Sequence, residues 1–92
     1  MKKKCLRIVI TAPVPNNFLQ SFVQNHAKRL NLEGTAQEIA GKVKQIRINV
    51  CGLGEQLDEF IDALHSQLDP EDIQIEPFLK DKDFRDVFRI IE

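Results

Sequence analysis

Residues 5–30 read CLRIVITAPVPNNFLQSFVQNHAKRL, and the change of period inside this stretch decides the architecture. Leu6, Ile8 and Ile10 alternate with Cys5, Arg7, Val9 and Thr11. Alternation rich in β-branched residues makes a strand with one covered face. Pro13 and Pro15 end it, because proline donates no ladder hydrogen bond. After the turn Pro15-Asn16-Asn17, Leu19, Phe22, Val23, His26, Ala27 and Leu30 recur at helical spacing. Asn17 is the expected N-cap, with Gln20 three residues on completing a capping box. Gly34 suits the helix exit or the turn after it.

Outward from this unit the same reading continues. Residues 35–40 and 43–51 form two strands around Gly41, with Ile46, Ile48 and Val50 alternating against Arg47, Asn49 and Cys51. Gly52-Leu53-Gly54 starts a second helix whose stripe is Leu57, Phe60, Ile61, Leu64 and Leu68. Its polar face, with Glu55, Asp58, Glu59 and Asp62, concentrates acids near the positive end of the helix dipole. Pro70 stops it. Ile73 and Ile75 give a short strand before Pro77, and Phe84, Phe88 and Ile90 share a parity in the last one.

Two helices must bury their stripes, and an antiparallel sheet offers one apolar face. The predicted fold is therefore α+β, a two-layer α/β sandwich with both helices on one face of an antiparallel sheet. Its order is the ferredoxin-like βαββαβ plus a short C-terminal strand. The whole chain, residues 1–92, reads as a single domain of a size that supports one modest core.

Composition narrows the class of protein. The chain is 42% hydrophobic and 29% charged, with a net charge of −1, ordinary values for a globular domain. Residues 1–46 carry eight basic and two acidic side chains, and residues 47–92 carry five and twelve. The fold interleaves these halves into a mixed surface without the basic stripe of a nucleic-acid binder. No apolar run reaches the roughly 20 residues that span a bilayer, so no membrane partner is expected. The basic tip Met1-Lys2-Lys3-Lys4 precedes a stretch that contains Arg7 and ends at Pro13, which reads as a strand rather than a signal peptide. The expected location is the cytoplasm.

The only two cysteines, Cys5 and Cys51, make no zinc set, and no metal or cofactor is expected. They open the first strand and close the third. Those strands are antiparallel neighbours in the expected topology, with both cysteines on the face away from the helices. They are expected to be close, either as thiols or as a cross-strand disulfide, for which Cα atoms must approach within ~4.4–6.8 Å. A cytoplasmic setting favours thiols. His26 and His65 lie on helices with no base or nucleophile beside them in the pattern and read as structural or solvated.

Residues 14–24, VPNNFLQSFVQ, and the pair GTAQE (34–38) and GKV (41–43) resemble two motifs of the acylphosphatase family. The first motif is Val-Gln-Gly-Val-x-Phe-Arg, at the turn into the first helix. The second is Gly-aromatic-Val-x-Asn-x-x-x-Gly-x-Val, on the following hairpin. Gly52, the second helix and the closing Phe88-Arg89-Ile90 are also similar to the family, so the resemblance covers nearly the whole chain. It implies an enzyme that hydrolyses carboxyl–phosphate anhydrides without a metal. In such an enzyme the arginine and the loop amides hold the phosphate, and the asparagine orients the attacking water.

The departures fall on that chemistry. Gln20 stands at the arginine position and Glu38 at the asparagine position, while Pro15, Asn16 and Asn17 replace a glutamine, a glycine and a valine. Arginine holds a phosphate through two charge-assisted bonds, whereas glutamine is neutral and a carboxylate repels the anion. The expectation is a domain with no intact catalytic residue, in which Pro15, Asn16, Asn17, Phe18, Leu19 and Gln20 form at most a weak backbone nest for an anion. That describes a small anion-binding or interaction module, for a phosphate-bearing or other anionic ligand. Two alternatives stay open. One is a divergent active acylphosphatase drawing charge from Arg7, Arg47, Lys42 or Lys44 and using Asn49 or another polar side chain in place of the asparagine. The other is a self-associating structural domain, monomer or weak homodimer, pairing through its edge strands.

Overall fold

The computed structural model describes residues 4–12, 17–39, 45–77 and 88–91. The elements run β1 (Lys4–Ile10), a π-helical turn (Leu19–Val23), α1 (Gln24–Arg29), β2 (Glu33–Ile39), β3 (Gln45–Gly52), α2 (Gly54–Gln67), a 3₁₀ turn (Pro70–Asp72), β4 (Ile73–Pro77) and β5 (Phe88–Ile91). Gly41, Lys42, Lys44 and Phe84 lie outside the described residues.

The five strands form one sheet in the order β4-β1-β3-β2-β5. Every neighbouring pair is antiparallel except β2–β5, which is parallel, so the expected antiparallel sheet is mostly but not wholly so. The register aligns the apolar parities. Ile8 faces Ile48 on one side and Ile75 on the other, and Ile48 faces Ala36. Ile8, Ile10, Ile48, Val50 and Ala36 are sealed from solvent, as are Val23 and Ala27 of the first helical segment and Phe60 and Leu64 of α2. Burial of each of the large side chains contributes about 1.5–3 kcal/mol, which is what holds two amphipathic helices to one sheet face. The opposite face carries Arg7, Asn49, Thr35 and Arg89 in one cross-strand row and Val9, Arg47, Gln37 and Ile91 in the next.

Two local expectations are corrected. Leu30 and Asn31 end the first helix, and Asn31 adopts the left-handed φ of 56°. The Leu32 amide donates to the Ala27 carbonyl and the Asn31 amide to that of Lys28, a Schellman closure in which asparagine takes the place usually held by glycine. Gly34 is instead inside β2 with φ 142°, and a Cβ there would collide with the backbone carbonyl of Asn49. Its lack of a side chain serves close strand packing, not the helix exit.

The second correction concerns the capping box. The helical segment begins at Phe18, and no side chain caps it. Asn17 contributes its carbonyl, which accepts from the Ser21 amide at 2.8 Å and the Ser21 hydroxyl at 2.7 Å. A reaching-back glutamine does occur at the second helix, where Gln56 Oε1 accepts the Leu53 amide proton at 3.3 Å.

Candidate functional site

The candidate site lies where β1 hands over to the first helix. Of the proposed anion loop, Pro15 and Asn16 lie outside the described residues, and Asn17, Phe18, Leu19 and Gln20 lie within them. Phe18 and Leu19 point into the core. Phe18 stacks on Phe22 at 5.1 Å, and Phe22 meets the His26 ring at 4.3 Å. This apolar ladder fixes the helix start. It leaves Asn17 and Gln20 exposed on the outside. The first turn is π-helical, a local widening that periodicity alone does not announce and that recurs at functional sites. The leading amide groups of a helix have no partner within the helix, a general source of affinity for anions.

The π turn lies against β2, so the fold brings the segment bearing Gln20 beside the strand bearing Glu38. Glu38 is exposed, pairs in register with Ile46, and shares its parity with Gly34 and Ala36, on the helix side of the sheet. Glu38 makes a contact of its own.

Of the basic residues considered as other sources of charge, Arg7 and Arg47 fall elsewhere. Arg7 and Arg47 are on the open face, across the sheet from the helices. Arg7 donates from Nε to Asn49 Oδ1 at 3.4 Å and pairs through Nη1 with Glu76 at 3.4 Å, an exposed ion pair between β1 and β4. Asn49 is thereby engaged on that same face. Lys42 and Lys44 lie outside the described residues. His26 joins the Phe22 carbonyl through Nδ1 at 2.8 Å, and His65 is exposed on α2. Among the described residues no three His, Cys, Asp or Glu side chains gather as a metal set. None of their helices is long and apolar enough to cross a membrane.

Cys5 and Cys51 face each other in the β1–β3 register with Cα atoms 4.1 Å apart and their sulfurs bonded. The pair lies on the open face. Cys51 is fully buried, and Cys5 is partly exposed. Beyond Cys51 the next residue across the sheet is Glu33, only 2% exposed. Sequence parity indicated the cysteine pair but gave no sign of this buried carboxylate beside it.

Solved structures with this architecture include an acylphosphatase from Bacillus subtilis, with a TM-score of 0.78 and 21% identity, covering 97% of this chain and 99% of that one. An acylphosphatase from Coxiella burnetii has a TM-score of 0.76 at 16% identity, covering 97% and 93%. The HypF protein of T. kodakarensis has a TM-score of 0.75 at 22% identity, covering 97% of this chain and 12% of its own. At these identities the likeness is one of fold. No curated protein sequence matches the chain. The acylphosphatase family model matches residues 6–89, and on that match across nearly the full length the chain belongs to the acylphosphatase family.

Proposed function

We propose that this chain is an acylphosphatase-family domain that does not hydrolyse acyl phosphates and works as a small anion-binding or interaction module. The motif resemblance supports the reading: it sets Gln20 and Glu38 at the positions of the family's arginine and asparagine, and the π-helical turn that carries Gln20 packs against the strand that carries Glu38. An acyl phosphate brings two negative charges to this place. Gln20 offers one neutral donor where a guanidinium would offer a charged fork, and Glu38 adds a like charge. Losing one preorganised donor costs other enzymes about 10²–10³ in rate, and here a cation is lost and an anion gained together. The engagement of Arg7 and Asn49 on the far sheet face supports the same reading.

What remains for an anion is backbone. The leading amides of the helix beginning at Phe18, assisted by its dipole, suit a singly charged or weakly held anion better than an anhydride to be split. Titrating the protein with inorganic phosphate while following the backbone amide resonances of Phe18, Leu19 and Gln20 tests this. Saturable shifts confined to these amides are expected. Shifts scattered over the surface, or none, would remove the anion-binding half of the proposal and leave the interaction module.

The replaced side chains are tested separately. Gln20→Arg combined with Glu38→Asn is expected to raise benzoyl phosphate hydrolysis at least about 10²-fold over the unaltered chain. No gain would mean that the two positions are not what blocks the reaction.

A further inference from the structure

The disulfide is asymmetric in a way that fixes how it can be opened. Its two sulfurs join neighbouring strands, with Cys5 partly exposed and Cys51 sealed from solvent. On its other side Cys51 has Glu33 directly opposite in the β2–β3 register, itself buried and partnered. Directly opposite residues of an antiparallel pair hold their Cβ atoms about 4.5–5.5 Å apart, so the two side chains leave the sheet next to each other.

We infer that Cys5 is a site of S-thiolation by a small thiol of the glutathione class, and that Cys51 is always the leaving sulfur. The thiolate attacks Cys5 Sγ and forms a new sulfur–sulfur bond there. The Cys5–Cys51 bond breaks, and its electron pair goes to Cys51, which then takes a proton. The products are a mixed disulfide on Cys5 and a free buried thiol at Cys51. A second thiol molecule attacking the incoming sulfur releases Cys5 as a thiol and leaves the small-molecule disulfide, so the two electrons that reduce the protein come from two thiols.

Access and charge act on different steps. Exchange requires the nucleophile to reach the sulfur it attacks, which selects Cys5 over Cys51. The rate also depends on how well the leaving sulfur bears charge, and Cys51 must do so sealed from water. The bond therefore opens at one end only, and slowly. This chemistry is separate from the anion loop and holds whether or not the chain hydrolyses acyl phosphates.

The experiment uses the full oxidised chain and limiting reduced glutathione, followed by acid quench, alkylation under denaturing conditions and peptide mass mapping. The expected result is glutathione on Cys5 with alkylated Cys51. Glutathione on Cys51, equal labelling of both, or a chain in which oxidised glutathione forms no Cys5–Cys51 bond would overturn the inference.

Discussion

The backbone carbonyl of Asn49 occupies the space that any side chain at Gly34 would need, and Gly34 holds a φ of 142° that other residues rarely adopt. β2 and β3 are thus fitted to each other at the centre of the sheet. Gly34→Ala is expected to cost at least about 3 kcal/mol, combining backbone strain with a forced shift of β3. Urea unfolding followed by circular dichroism measures it. A loss under about 1 kcal/mol would mean that the two strands do not meet this closely.

Among the described residues Phe60, on the inner face of α2, is the largest fully buried side chain. Phe60→Ala should destabilise the domain by about 3–5 kcal/mol, through lost transfer energy and a residual cavity. The same unfolding measurement checks it, and the slope against urea should stay near that of the unaltered chain.

Gln56 and Gln20 make a contrast. Gln56 satisfies the Leu53 amide at the start of α2, whereas no side chain caps the helical segment that carries Gln20. Gln56→Ala is expected to cost about 0.5–1.5 kcal/mol, and Gln20→Ala less than about 0.5. Equal losses at the two positions would restore a capping role to Gln20.

How far the sequence could be read follows from which forces act locally. Alternation in β1 and β3 and the stripes of both helices specify a two-layer sandwich, because each apolar parity has one place to be buried. The same parity sets Cys5 opposite Cys51 in the register. What escaped are features set by contacts between distant segments. Gly34 is a glycine because of Asn49, fifteen positions on. The parallel pairing of β5 with β2 depends on the whole sheet order. The π turn at Leu19–Val23 is a local widening that leaves the spacing of Leu19, Val23 and Ala27 intact. At the candidate site, the motif resemblance pointed to Gln20 and Glu38, whereas the pairing of Arg7 with Asn49 and Glu76 joins strands distant in sequence and left no local signal.

The cross-link spans 46 residues of sequence. Closing a loop of that length in the unfolded chain is expected to contribute about 2–4 kcal/mol. Unfolding of the oxidised chain with and without dithiothreitol should show a drop of that size, and coincident curves would show that the bond adds nothing.

On the proposed reading the pocket lacks the charge needed to hold and split an acyl phosphate, so benzoyl phosphate incubated with the purified unaltered chain should disappear no faster than in buffer alone. Turnover well above buffer that is lost when residues 15–20 are changed would overturn that reading.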